Sequence, residues 1–221
     1  RDGWVFELKL DGYRLIASKT NDDVLLLTRN GNDYTGVFPE IARAVAALPM
    51  DRCIIDGEVV VLDPQGKPSF ARLQQRGLLS SPIDIRRAAV ELPATFFVFD
   101  LLAFEDFDLR PLPLETRKSL LLEALPSLGP GLTRVHIERE GERFLEQVTA
   151  LGLEGIMSKV ADAPYRSGRG HDWVKTKCSD RQEFVVAGFA PSTNDARAIG
   201  AFVLGVYDRG KLRYAGRTGT G

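Results

Sequence analysis

The sequence predicts an α+β fold of antiparallel sheets flanked by helices. Three observations predict it. Short runs rich in β-branched and aromatic residues recur along the chain, polar turn clusters or single helical patterns join them, and the regular strand–helix alternation of a parallel sheet is missing.

The first run, Trp4–Leu10, alternates apolar and other residues, so Trp4, Phe6, Leu8 and Leu10 share one strand face and Glu7, Lys9 and Asp11 the other. Arg14–Ser18 and Val24–Thr28, joined by Thr20-Asn21-Asp22-Asp23, read as a hairpin, broken at Arg29-Asn30-Gly31. Pro39 opens a helix over Glu40–Leu48 with Ile41, Val45 and Leu48 on one face, and Pro49 stops it. Cys53–Leu62 is a β-branched strand closed by Asp63-Pro64-Gln65-Gly66; Phe70–Leu79 is helical, Thr95–Ala103 a strongly apolar strand, Leu114–Leu125 a helix and Arg134–Glu138 a strand. A helix over Glu142–Leu151 ends at Gly152, a residue suited to the position just past a helix. Strands follow at Glu154–Val160, Trp173–Lys177 and Phe184–Phe189, then a hairpin of Ala201–Tyr207 and Leu212–Gly216 about Asp208-Arg209-Gly210-Lys211. The polar run Cys178-Ser179-Asp180-Arg181-Gln182 marks a boundary between domains at 1–182 and 183–221.

The chain has 221 residues, 44% hydrophobic and 27% charged, a composition typical of a globular protein rather than a disordered or membrane-embedded one. No apolar run approaches a membrane span and no signal-peptide pattern opens the chain. Cys53 and Cys178 lack metal-type spacing and fit reduced thiols, so a cytoplasmic location is expected. The net charge of −1 gives no global support for nucleic acid. Locally, Lys159, Arg166, Arg169, Lys175, Lys177 and Arg181 outnumber Asp162, Asp172 and Asp180. A start at Arg1, close to the first motif, and an end within strand-like sequence lead to the expectation of a fragment.

Several residues are costly unless they perform chemistry. Lys9 lies between Glu7 and Asp11, and the turn Asp11-Gly12 could bring Arg14 back over it, which suits a phosphate site. A free lysine, with a pKa of about 10.4, is a nucleophile only when deprotonated, and nearby cations favour that form. Lys175 and Lys177 share one strand face; an exposed edge strand would look the same. Asp56 and Glu58 interrupt a strand of Ile and Val; a turn-capping role competes for Asp56, while Val59-Val60-Val61 continue the strand past Glu58.

Lys9-x-Asp11-Gly12-x-Arg14 resembles the nucleotide-attachment motif of the covalent nucleotidyltransferases, which comprise ATP-dependent DNA ligases, RNA ligases and capping guanylyltransferases. Thr28-Arg29-Asn30-Gly31, Asp56-Gly57-Glu58, Phe96–Leu102, Glu154–Lys159 and Pro164–Lys177 are similar to further motifs of that family, in the family's order. Trp4–Arg14, Tyr34–Glu40, Gly152–Lys159 and Leu204–Gly221 are most like the ligase domain of bacterial DNA ligase D, a multifunctional end-joining enzyme.

The resemblance implies an ATP-grasp-like nucleotidyltransferase core followed by the first strands of an oligonucleotide-binding (OB) fold. It implies ATP as the nucleotide, forming a covalent AMP adduct on Lys9, with Mg²⁺ or Mn²⁺ near Glu58 and Glu154. Lys175 and Lys177 would hold the α-phosphate, Lys159 a phosphate, Arg14 a phosphate or the ribose, Glu58 the ribose or a metal, and Arg29 the ribose and DNA end. Glu7 would read the adenine amino group, Phe99 would stack on the base and Ile156 would wall it, with Asp11 part of the nucleotide motif. Nicked or broken duplex DNA would be the partner, met by Arg29, Arg166 and Arg169, alongside end-binding proteins and polymerase or nuclease domains in a nucleoid-associated bacterial enzyme. No segment matches the family's distal OB motif that orients pyrophosphate, so slow self-adenylation is expected. RNA ligase, guanylyltransferase and a non-catalytic nucleic-acid-binding module are the alternatives.

Overall fold

The computed structural model describes residues 3–125, 128–168, 170–178, 184–192 and 198–219. They form two compact units, divided after Cys178.

In the first unit, β1 (Trp4–Leu8) leads to the β2 (Tyr13–Thr20) and β3 (Asp23–Thr28) hairpin, α1 (Pro39–Ala46), β4 (Arg52–Val61), α2 (Phe70–Gly77), α3 (Pro82–Glu91) and β5 (Ala94–Phe104). Then come β6 (Phe107–Asp108), α4 (Leu114–Ala124), β7 (Leu132–Arg134), β8 (Ile137–Glu138), α5 (Gly141–Ala150), β9 (Gly155–Val160) and β10 (Trp173–Lys177). One sheet has the order β3-β2-β4-β5-β6, with β7 parallel beside β5; the other has the order β10-β9-β1-β8. The second unit is a three-stranded antiparallel sheet, β11 (Val185–Pro191), β12 (Ile199–Asp208) and β13 (Lys211–Gly219). Positive φ at Arg209 and Gly210 closes the last hairpin in two residues, as the turn sequence predicts.

Strand parity divides the larger sheet. Leu15, Ala17, Ile55, Val59, Phe96 and Val98 are buried in the main core with Ile41 and Val45 of α1, Leu73 of α2 and Leu121 of α4. Arg14, Ile16, Asp56 and Glu58 lie on the opposite face, since Arg14 pairs with Glu58 and Ile16 with Asp56. That face carries the chemistry.

Three local expectations differ from what is observed. β1 stops at Leu8, leaving Lys9 beyond the strand, and both of its faces are covered: Val5, Phe6 and Glu7 are all buried. The expected strand Arg134–Glu138 is two strands in two sheets, because the chain crosses between them at Val135 and His136. α3 was not expected, although Ser81 accepts from the Asp84 N–H, Pro82 opens the helix and Asp84 sits in its first turn.

α4 ties the sheets together. Arg117, fully buried, donates two 2.8 Å hydrogen bonds to Asp100 of β5 and further bonds to the carbonyls of Leu112 and Ala163. The backbone adds Leu114 N–H to Ala163 O and Glu115 N–H to Ala161 O, just past β9. Removing one partner of a buried pair strands the other charge. Arg117→Met should therefore lower unfolding free energy by about 3–5 kcal/mol, measured by urea denaturation.

Candidate active site

The four-stranded sheet turns one face toward Arg14, Asp56 and Glu58. Its register puts Glu7, Met157 and Lys175 in one cross-strand row, with Val5, Lys159 and Trp173 in another. Lys9 continues from β1; its N–H donates to Gly155 O at 2.9 Å. Gly155 has φ +147°, and a Cβ there would lie 2.1 Å from Thr176 O, so glycine is required where Lys9, β9 and β10 meet. The Lys9 ammonium donates to Glu154 Oε2 at 2.5 Å, while Lys177 reaches Glu154 Oε1 at 3.2 Å.

Deeper in, the Glu7 carboxylate, 2% exposed, is shared by Lys118 of α4 and Lys159 of β9, the latter at 2.6 Å. Burial opposes ionisation of Glu7, yet Lys159 and Lys118 outweigh it and hold its carboxyl below the usual range. Two ammonium groups compete for this one carboxylate; burial, reinforced by Lys118, pushes Lys159 below the ordinary lysine value against the pull of Glu7. Lys159 lies 4.2 Å from the centroid of the Phe99 ring and 3.9 Å from that of Trp173. Phe99 reaches this position because Asp56 pairs with Asp100 but Gly57 with Val98, leaving Phe99 as the extra residue of a bulge.

Arg14 spans the two sheets. It donates to both oxygens of Asp56, at 3.0 and 2.6 Å, and its guanidinium lies 5.2 Å from the Trp173 ring centroid. Tyr165 donates to Asp56 at 2.9 Å; burial, with Asp56 nearby, pushes its phenol up to about 12. Burial disfavours the Arg14 cation, but Asp56 wins and raises its pKa; burial also raises Asp56, against Arg14 and Tyr165. Asp56 is thus a fully buried interior partner in mid-strand, not a turn cap.

Toward solvent, Gly12, Tyr13, Arg14, Arg29, Asn30, Asn32 and Glu58 help line a concavity of about 540 Å³. Burial pushes the Glu58 carboxyl up to about 7, against the fields of Arg14 and Lys9 and a hydrogen bond from the Gly12 backbone. A Cβ on Gly12 would meet Val59 O at 2.3 Å and Glu58 Cγ at 2.8 Å. Among the described residues no three acidic, histidine or cysteine groups gather as a metal cage. The two glutamates near Lys9 are, however, the oxygen donors that suit a Mg²⁺ shared with nucleotide phosphates.

A family model described as the ATP dependent DNA ligase domain matches residues 1–177. The chain belongs to this family. It is 39% identical, over its full length, to the multifunctional non-homologous end joining protein LigD of Pseudomonas aeruginosa, covering 26% of that protein. It is 31% identical to DNA ligase C of Mycobacterium tuberculosis, over 97% of the chain and 61% of that protein. The chain thus spans about a quarter of the LigD protein it matches. The crystal structure of the ligase domain of M. tuberculosis LigD superposes with a TM-score of 0.69 at 32% identity, over 99% of this chain and 67% of that one. A structure titled mycobacterial DNA ligase D complexed with ATP and MES gives a TM-score of 0.68 at 31% identity, over 98% and 66%.

Within this ligase-family fold, the structure brings together Glu7, Lys9, Arg14, Phe99, Glu154, Lys159 and Lys177, with Glu58 and Arg29 meeting Arg14 at the outer concavity. Three expectations need correction. Ile156 does not wall the cleft: it points to the opposite sheet face, packed with Phe6 and Val148, and its neighbour Met157 shares the row of Glu7 and Lys175. Lys159 is not a free phosphate contact, being 2% exposed and bound to Glu7. The Lys9 amine rests on a carboxylate, not in a cluster of cations; Lys177 shares that carboxylate and Lys175 is exposed on the same strand face. Arg166 is exposed and lies 3.7 Å from Asp172. Asp11 is exposed in the turn after Lys9, and Arg169 lies outside the described residues. Sequence reading missed Lys118, Met157, Tyr165 and Trp173. Trp173 and Met157 were recoverable, because each is two residues along a strand from a lysine already placed on this face.

Glu58 provides a pH test. An acid whose folded pKa stands above its unfolded value of 4.5 costs stability progressively as pH rises through the interval up to about 7. Glu58→Gln should thus be nearly neutral at pH 4 and stabilising by about 2–3 kcal/mol at pH 8, read from thermal or urea unfolding at both values.

Proposed function

We propose that this chain is the catalytic core of an ATP-dependent DNA ligase that acts through a lysyl-AMP intermediate on Lys9. The observation that carries the reading is Lys9 itself, fixed by Gly155 and Glu154, with Glu58 within its field and the aromatic cleft behind it.

The Lys9 Nζ attacks the α-phosphorus of ATP; a P–N bond forms and the P–O bond to pyrophosphate breaks. Glu154, 2.5 Å away, is the acceptor nearest the proton the amine must lose. Lys177 and Lys175 line the strand beside it and offset charge on the α-phosphate oxygens as the bond forms. Arg14, held by Asp56 and Tyr165, presents its guanidinium at the junction of the two sheets, where phosphate or ribose oxygens would lie. Phe99 and Trp173 supply flat apolar surface for a purine, with Met157 on the same face, while Glu58 and Arg29 border the outer concavity suited to the ribose. Glu154 and Glu58 would hold Mg²⁺ or Mn²⁺ together with the phosphates, and the cation supplies neutralisation of phosphate charge.

In the second half of the reaction the AMP passes to a DNA 5′-phosphate, and the adjoining 3′-hydroxyl displaces it to make the phosphodiester. Nicked or broken duplex DNA is the proposed substrate, in keeping with the end-joining name of the LigD relatives, with Arg29, Arg166 and Arg169 as phosphate contacts. The sheet of β11–β13 is read as the start of an OB domain, and polymerase or nuclease domains and end-binding proteins as partners of the parent protein. RNA ligase and guanylyltransferase readings share the chemistry and differ in nucleotide and acceptor.

Prolonged incubation with ATP and Mg²⁺ should slowly add the mass of one AMP to the intact chain, and GTP should add little. Lys9→Ala should abolish the adduct while leaving the thermal transition within a few degrees. Label that survives Lys9→Ala refutes the mechanism.

A further inference from the structure

Lys118 belongs to none of the motifs read from the sequence, yet it is among the most deeply buried cations of the first unit. It is 5% exposed in the middle of α4, beside Arg117. Its ammonium donates to the backbone carbonyl of Phe99 at 2.8 Å and forms an ion pair with Glu7 Oε1. One cation thus joins the residue whose ring lines the purine cleft to the carboxylate at the back of that cleft.

The two lysines on Glu7 are not equivalent. Lys159 lies against the Phe99 and Trp173 rings, on the surface a purine would cover, so an incoming base competes with it for space. Lys118 approaches from the helix side and is anchored to a carbonyl of β5. A base that displaces Lys159 would leave Glu7 Oε2 free to accept a hydrogen bond, while Oε1 stays clamped.

We propose that Lys118 is a positioning residue for nucleotide selection: by clamping Oε1 of Glu7 to the Phe99 backbone, it keeps Glu7 aimed as an acceptor for the 6-amino group of the purine. This rests on the reading of the site as an ATP site. A lone buried carboxylate without a fixed cation would take up a proton or turn away, and would then no longer distinguish an amino group from hydrogen or oxygen at that position.

The test is the rate of lysyl-nucleotide formation with ATP and with purine riboside triphosphate, which lacks the 6-amino group. The wild-type chain should favour ATP by about ten-fold or more, the scale of a hydrogen bond to a charged group. In Lys118→Met that ratio should fall toward one, chiefly through a slower reaction with ATP, while the rate with the purine analogue stays within about three-fold of wild type. Lys118→Arg, which keeps the charge, should recover part of the ratio. A purely structural lysine predicts equal losses with both nucleotides, and that result overturns the proposal, as does a wild-type ratio of one. If Lys118→Met gives no cooperative thermal transition, the neutral pair Glu7→Gln/Lys118→Met replaces it. A nucleotide ratio equal to that of Glu7→Gln alone supports the clamp, and a further drop overturns it. Because slow self-adenylation is expected, the same ratios are also read from equilibrium binding of the two nucleotides, and a wild-type chain that binds neither overturns the underlying ATP-site reading, and the proposal with it.

Discussion

The pairing of Arg117 with Asp100 is the interaction on which the first unit depends. Both groups are fully shielded from water: Asp100 accepts from Arg117 and from the Leu101 N–H, and Arg117 donates in addition to the carbonyls of Leu112 and Ala163. Those carbonyls belong to the segments entering α4 and leaving β9, so satisfying one guanidinium fixes a helix, the larger sheet and the smaller sheet together. Lys118, one residue on, makes the same connection nearer the cleft. An α-helical step of about 100° lets adjacent side chains reach different strands.

This arrangement separates stability from chemistry. The apolar core lies on the helix-covered face of the larger sheet, where Leu15, Ile55, Phe96 and Leu73 are fully buried, and it gives the fold its hydrophobic drive. Between the sheets the contents are ionic: Glu7 with two lysines, Asp56 with Arg14, Glu154 with Lys9 and Lys177. Such pairs contribute little net stability against desolvation, and removing one member leaves its partner buried and uncompensated. Their value is geometric. They hold charged groups at fixed positions before any ligand arrives, which a purely apolar interlayer could not do.

What the sequence disclosed follows from the range of the interactions. Lys9-x-Asp11-Gly12-x-Arg14 and Lys175-x-Lys177 are local patterns on single segments, and Lys9, Arg14 and Lys177 of them reach one cleft. Ile156 was misassigned although strand parity held the answer: Lys159 and Met157 are two residues apart and share a face, so Ile156 must take the other. α3 also carried a visible start at Ser81-Pro82. Lys118 was beyond reach, because a lysine in mid-helix is ordinarily a solvated residue, and only the tertiary approach of β1 and β5 makes it a buried partner. The Phe99 bulge was likewise invisible, since register between β4 and β5 is a property of the pair.

In the cleft Glu7, Asp56 and Glu154 each pair with a cation of the same chain, and this bears on how the triphosphate of the proposed mechanism would enter. An unpaired set of lysines and arginines would attract phosphate strongly but would repel itself when the site is empty, whereas unpaired carboxylates would repel the ligand. Cross-pairing removes both costs. Phosphate oxygens then compete with carboxylates for the same ammonium and guanidinium groups, so binding proceeds by exchange of partners and little buried charge is left uncompensated along the way. The pairs differ in how readily they exchange. Glu154 with Lys9 and Lys177 is partly open to solvent, with 23% of the glutamate side chain exposed, whereas Asp56 and Glu7 are enclosed. On the proposed mechanism, exchange starts at Lys9, whose amine must be released to react, while the enclosed pairs behind it keep the geometry of the two sheets.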